Sequence, residues 1–441
     1  MLKVEVLAPD IPALSPGPVC FGRVAACDNG LLEVTGLSLP IGCLCRIEQA
    51  QGQDMTAEVI GFRNGRTLMM LLGDSVLLSP GSRVYPEGRP GMVPVGEGFL
   101  GRAVDGEGHP IDGGTPVRAA QFWPCGGRRS GALDRSPVTQ GFDCGVRAIN
   151  ALATMGQGQR IGIMAGSGVG KSVLIDMIAH GADADIVIFA LIGERAREVS
   201  GFVARHMAGP KRQRAITIAV PANHAPNLRL RAAQLAVSQA EYFRAQGLNV
   251  LLIMDSLTRV AHAAREIGLL LGEPGAARGY PPSALATINR LVERAGNSAE
   301  SGGSITGIYT VLADGDDEND PVVDTARAIL DGHIVLSRAI AQRGQYPAID
   351  VGASLSRVMS DVAAPGHRAD AMALRALCAS YEANRDLVLM GAYRAGADAQ
   401  LDRTMAMQPA IKAFLAQSVE EGCSLEESVE RLHALLSPAP S

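Results

Sequence analysis

From residue 1 to about 88, apolar and polar positions alternate in short runs. The runs are broken by turn sequences: Asp28-Asn29-Gly30, Pro40-Ile41-Gly42, Arg63-Asn64-Gly65-Arg66 and Ser79-Pro80-Gly81. A period of two marks half-buried strands, and short strands at this spacing predict a small β-barrel over 1–88. Residues 89–114 are rich in Gly and Pro, as in Gly96-Glu97-Gly98 and Asp105-Gly106-Glu107-Gly108, and predict an irregular lead into a second domain.

From about 145 to 360 the pattern changes to unbroken apolar runs. Those at 160–164, 186–192, 215–220, 249–254 and 304–312 predict buried strands. Helical stretches lie between them at 173–178 and 227–246. Strands alternating with helices predict an α/β domain over 89–364, with a parallel sheet covered on both faces. Past 365 the strands stop. Helices are predicted over 369–390, 408–417 and 425–436, split by Gly391, Gly396 and Gly422-Cys423-Ser424, so 365–441 reads as a helical C-terminal domain.

The chemistry concentrates where the first of these strands ends. Ala165-Gly166-Ser167-Gly168-Val169-Gly170-Lys171-Ser172 follows the strand and opens a helix, the layout of a P-loop. The first position usually holds Gly; Ala165 serves because that residue only starts the turn. Backbone N–H groups from Gly166, Ser167, Gly168, Val169 and Gly170 into Lys171, Ser172 and Val173 would cradle phosphate oxygens. Lys171 would reach the β- and γ-phosphates, and the Ser172 hydroxyl would hold Mg²⁺. A dinucleotide fold is a poor match, because Lys171 stands where a third glycine belongs.

Two carboxylates fit around this loop. Asp255 ends the 249–254 run, at the strand tip where a parallel sheet meets its ligand, and would bind Mg²⁺ through water. Many strands also end in an Asp that only caps the next helix. Glu194, in Ile192-Gly193-Glu194-Arg195, ends the next strand on the same edge and could polarise an attacking water. The alternative is a surface carboxylate in the ion-pair run 194–198. The acidic run 314–320 has Asn319 where a calcium loop needs Gly, and reads as a solvated loop or one that meets a basic partner.

Composition removes several classes. The chain has 441 residues, 47% apolar, enough for two or three domains with a large core. Aromatics are 4% and the net charge is −5, which argues against a base-stacking nucleic-acid surface. The eight cysteines are scattered without paired metal spacing, as expected of free thiols in a reducing cytosol. The N-terminus has no signal-peptide pattern, and no run of apolar residues is long enough to span a membrane.

Many ordered motifs then carry a family resemblance. They include Val95-Gly96-Glu97, Gly145-Val146-Arg147, the P-loop, Gly193-Glu194-Arg195-x-Arg197-Glu198 and Asp255-Ser256-Leu257-Thr258-Arg259. Others are Gly279-Tyr280-Pro281-Pro282-Ser283, Gly302-Gly303-Ser304-Ile305-Thr306, 329–338 and Tyr346-Pro347-Ala348-Ile349-Asp350. Over nearly its whole length the chain resembles the cytoplasmic ATPases of flagellar and type III protein export, relatives of the β subunit of F-type ATP synthases.

The resemblance implies a RecA-like P-loop core, with ATP and Mg²⁺ as cofactors, in a homohexamer at the membrane export apparatus. It implies that Glu194 is the catalytic carboxylate with Arg195 beside it, and that Arg259 meets the γ-phosphate. Tyr346 would stack on adenine, and Arg357 would act in trans as an arginine finger. The loops at 272–280 and near Asp316 would face a central channel and a coiled-coil stalk. Export-gate membrane proteins, a stator-like regulator, export substrates and chaperones are the other implied partners; nucleic acid is not one.

Three positions depart from the family pattern: Gly275 and Ala399 stand where Pro is usual, and the segment before Gly22 is short. The rivals are a synthase β-type subunit in a heterohexamer, a hexameric RNA translocase and a non-catalytic nucleotide-binding regulator. The translocase would need an aromatic basic barrel, and 1–88 offers only Phe21, Phe62 and Tyr85. The regulator would be expected to lack Lys171, Glu194 or Arg357.

Overall fold

The computed structural model describes residues 20–49, 53–73, 78–128, 131–166, 168–207, 209–312 and 320–437. Its contacts divide the chain into two compact units, Met1–Pro90 and Gly91–Ser441. In the first, strands β1 (Gly22–Asp28), β2 (Leu31–Thr35), β3 (Leu44–Ile47), β4 (Met55–Arg63), β5 (Arg66–Leu71) and β6 (Arg83–Glu87) form a closed barrel in the order β1-β2-β5-β4-β3-β6. Its interior is apolar, with Leu32, Val34, Ile47, Val59, Met69 and Val84 almost wholly buried. Asn29 and Asn64 turn two hairpins at positive φ, each followed by a glycine that also has positive φ.

The second unit starts with β7 (Met92–Val95), β8 (Arg102–Val104) and β9 (Gln121–Pro124), then β10 (Gly141–Phe142), helix α1 (Arg147–Leu152) and β11 (Met155–Gly156). β7 pairs with β9, and β10 with β11. β8 instead travels to the main sheet and becomes its edge, so the Gly/Pro-rich 89–114 contains a strand that its composition hid.

The sheet comprises β12 (Arg160–Ala165), β13 (Ile186–Ile192), β14 (Ala215–Val220), β15 (Asn249–Asp255), β17 (Ser304–Leu312), β18 (Gly332–Leu336) and β19 (Ile349–Ser356), together with β8. The order is β19-β18-β12-β17-β15-β13-β14-β8; the short β16 (Gly296–Asn297) pairs with β17. Every pair from β18 to β8 is parallel, and β19 runs antiparallel on β18. Parallel neighbours need crossovers. These are α2 (Lys171–Gly181), α3 (Ala196–His206), α4 (Pro226–Arg244), α5 (Leu257–Leu270), α6 (Pro282–Val292) and α7 (Pro321–Ile329). β13 and β14 are buried at every position, which explains their unbroken apolar runs.

After α8 (Arg338–Gln342) and β19 come α9 (Met359–Val362), α10 (Pro365–Leu389), α11 (Ala399–Leu415) and α12 (Leu425–Leu436). Leu374, Leu377, Ile411, Phe414 and Leu432 of these helices share one hydrophobic core with the sheet. α11 begins well before the 408–417 expected from the apolar pattern. Asp398 caps it by accepting from the N–H groups of Gln400 and Leu401, and Pro409 sits inside it. None of the eight cysteines forms a disulfide. Among the described residues no helix is long and apolar enough to cross a membrane.

Candidate active site

β12 delivers the chain into the phosphate loop at the C-terminal edge of the sheet. Gly168 and Gly170 have φ of 78° and 95°, conformations open to glycine, while Val169 is buried beneath the loop. Ser167 lies outside the described residues. Gly170 offers no side chain to cap α2, so the first N–H groups of that helix have no side-chain cap. Ser172 and Val173, in its first turn, are exposed.

Three charged side chains converge beside the loop, each mostly buried. Lys171 Nζ donates to Asp255 Oδ1 at 2.5 Å and lies 3.5 Å from Glu194 Oε1. Asp255 sits at the tip of β15, and its Oδ1 also accepts from Thr310 Oγ1 on adjacent β17 at 2.6 Å. Thr310 is fully buried and was invisible to sequence reasoning; only the pairing of β15 with β17 brings it here. Glu194 has a different environment. Its Oε1 is buried without a hydrogen bond. Burial, then the neighbouring Asp255 charge, hold its carboxyl above the ordinary range against the opposing pull of Lys171.

Gly193 has φ of 71° and gives Arg259 room: a Cβ there would lie 2.8 Å from Arg259 Cβ. The Arg259 Nε is buried with no hydrogen-bond partner, so this guanidinium is held near Glu194 partly unsatisfied. Ser172, Glu194 and Asp255 line a cavity of about 380 Å³. Ile175, Leu191, Val199 and Phe202 line it with apolar surface, and Arg197, Glu198 and Arg205 add charge.

Tyr346 is half exposed, and its ring comes to 3.7 Å of where a Gly170 Cβ would stand, so the phenol ring borders the phosphate loop. Its carbonyl accepts from the Gln417 N–H at 3.0 Å. The Gln417 side chain in turn accepts from Arg147 N and donates to Gly145 O. Gln417, beyond α11, is thus a residue of the site's frame that sequence reasoning missed.

Two expected site residues are not brought into this cluster. The Arg195 side chain is 73% exposed and pairs with Glu198 at 3.5 Å. Arg357 lies at the other end of the sheet. β19 runs so that Ile349 faces Leu336 and Ser356 faces Gly332, while the loop-bearing Ala165 pairs with Leu336. Arg357 follows Ser356, donates its N–H to Asp331 O and its Nη2 to Arg327 O, and is exposed. At roughly 3.3 Å per residue, the span of β18 separates it from its own phosphate loop by more than about 13 Å. Of the acidic run 314–320, whose loop was expected to face a channel, 314–319 lies outside the described residues, and Asp320 caps α7.

A phosphate loop on a parallel sheet, a lysine and two carboxylates at its mouth, and an aromatic face beside it define a P-loop ATPase core. Residues 145–356 match the ATP synthase alpha/beta family, nucleotide-binding domain, and residues 363–434 match the T3SS EscN ATPase C-terminal domain. The chain is 46% identical to the flagellum-specific ATP synthase of Pseudomonas aeruginosa, covering 96% of this chain and 95% of that one. It superposes on the assembled ATPase EscN of the enteropathogenic E. coli type III secretion system with a TM-score of 0.88 at 38% identity, over 94% of this chain and 100% of that one. EscN in complex with its central stalk EscO gives 0.86 at 37%, with the same coverage. The protein belongs to the family of flagellar and type III secretion ATPases.

Proposed function

We propose that this chain hydrolyses ATP with Mg²⁺ as one subunit of a homohexameric ring that energises flagellar or type III protein export. Lys171 and the loop N–H groups hold the phosphates. Ser172 and Asp255 line one cavity with oxygen donors of the kind Mg²⁺ takes. When bound, Mg²⁺ would neutralise charge on the β- and γ-phosphate oxygens. Glu194, with an acceptor oxygen unsatisfied, orients the attacking water; Arg259 balances charge on the γ-phosphate; Tyr346 stacks on adenine. Arg195 adds positive charge at the rim.

The observation that carries the ring is the position of Arg357, exposed at the sheet end away from its own phosphate loop. A guanidinium there serves a neighbour's site, completing charge stabilisation only in an assembly. EscN has been solved assembled and with a central stalk; by the same logic this ring engages a coiled-coil stalk. A stator-like regulator, export-gate membrane proteins, substrates and chaperones complete the setting, with the ring held peripherally at the cytoplasmic side of the export apparatus.

Mixing tests this reading. Arg357→Ala should bind ATP yet lose about 10³-fold or more in turnover, the scale of other arginine fingers. Lys171→Ala should lose turnover and bind nucleotide weakly. Combined in verified mixed rings, the two should regain activity, because an intact loop then meets an intact finger. No recovery, or full wild-type activity in dilute monomers, would overturn the trans arrangement.

A further inference from the structure

The phosphate-holding and water-orienting groups sit on different helices. Lys171 and Ser172 begin α2, whereas Glu194 and Arg195 immediately precede α3. Along their middles the two helices are parted by the cavity, to which Ile175 contributes from α2 and Val199, Gly201 and Phe202 from α3. The Glu194 turn is tied toward β14, through Gly193 N–H to Val220 O and Ala222 N–H to Glu194 O. Toward the phosphate loop its carboxylate meets, among the described residues, Lys171 at 3.5 Å. A side-chain bridge also joins the two helices where α3 ends.

There, Asp176 on the second turn of α2 meets His206, the last residue of α3, with Nε2 to Oδ1 at 2.7 Å. The side chains are 16% and 6% exposed. A carboxylate only accepts, so Nε2 carries the proton. The imidazole is fixed on its other sides: it stacks on Phe202 at 4.1 Å and lies 4.9 Å from Phe189 of β13. His180 is 5.3 Å away, and Arg205 Nε reaches the second Asp176 oxygen at 3.2 Å.

We propose that Asp176 and His206 are a positioning pair for hydrolysis: their buried hydrogen bond sets α3, and with it Glu194, at working distance from the phosphate loop. This rests on the reading of Glu194 as the water-orienting group. Neither residue lines the cavity beside the phosphate loop. Releasing it should leave Lys171 and Ser172 in place and loosen only Glu194, so the loss should fall on kcat and spare KM. Misplacing a catalytic group by an ångström can cost about 10²-fold, so even a smaller shift is measurable.

The test uses the full-length ATPase, with ATP titrations and Tm for His206→Ala, His206→Gln and His206→Asn beside Glu194→Gln. The Gln amide nitrogen can take the place of Nε2, whereas the Asn amide stops at the reach of Nδ1. His206→Ala and His206→Asn should lose about tenfold in kcat with KM for ATP within about twofold. His206→Gln should keep at least about half the wild-type kcat. Should the Ala variant not fold, the Gln and Asn pair still decides. A Gln variant as slow as the Asn variant at equal Tm, or a loss confined to KM, or wild-type kcat in all three, would overturn the proposal. Wild-type turnover in Glu194→Gln would instead remove the reading beneath it, whatever the His206 series gives.

Discussion

Two buried charge clusters in the Gly91–Ser441 unit make opposite use of similar side chains. Behind the sheet, Glu241 on α4 and Arg294 after α6 form a two-pronged pair at 3.0 and 2.8 Å. Arg294 also donates from Nη2 to Ser238 Oγ and from Nη1 to Cys125 O. Both Glu241 oxygens and all three Arg294 nitrogens have partners there. At the phosphate loop Lys171 is shared between Asp255 and Glu194, Glu194 Oε1 and Arg259 Nε have no hydrogen bond, and the Glu194 carboxyl is pushed up. A matched cluster holds the fold. A cluster with unmatched acceptor and donor atoms stores polar capacity for a ligand and costs stability while it waits.

The contrast breaks most visibly on one substitution made in both places. Glu241→Gln leaves Arg294 buried without its counter-charge and should cost about 3–5 kcal/mol, seen as a lower Tm, with the turnover of the folded fraction near wild type. Glu194→Gln should do the reverse. ATP binding should persist and hydrolysis should fall by about 10²-fold or more, measured by phosphate release.

Stability should move the opposite way too. Burial and Asp255 raise the folded-state pKa of Glu194, so its contribution to stability is full at low pH and is lost as pH rises through that raised value. Removing the charge should therefore give Glu194→Gln a higher Tm than wild type at pH 7.5. The gain should vanish below the ordinary carboxylate range. A lower Tm at pH 7.5 would mean that Lys171 needs Glu194 structurally.

The smallest effect sharpens the ligand side of the comparison. Tyr346→Ala should weaken nucleotide binding by about 1 kcal/mol, roughly fivefold, whereas Tyr346→Phe should be within about twofold, because the ring face does the stacking. Equal losses in a nucleotide titration would place the phenol hydroxyl, and not the face, at the ligand.

Much of this was legible in the sequence, and the reasons are local. The phosphate loop needs glycines where φ is positive and a Lys-Ser pair at the helix start, so its chemistry is written in consecutive residues. Strands buried on both faces are apolar throughout, as at 186–192 and 215–220, and were readable for that reason. β8 was not, because three residues inside a Gly/Pro-rich stretch carry no periodicity; it is a strand only because β14 offers an edge to pair with. The early start of α11 was hidden by a polar first turn that depends on the Asp398 cap.

By itself, then, the sequence determined the class of chemistry, the alternation of strands and helices around the phosphate loop, and the candidate residues Lys171, Glu194, Asp255 and Tyr346. Those rest on short-range constraints: loop conformation, strand tips and motif spacing. Only the tertiary structure decided that Thr310 buttresses Asp255, that Gln417 ties Tyr346 to the region beyond α11, that Asp176 meets His206, and that Arg357 stands away from its own phosphate loop. Each depends on strand order, register or helix docking between residues far apart in the chain, and no local pattern encodes which distant partner a side chain will meet.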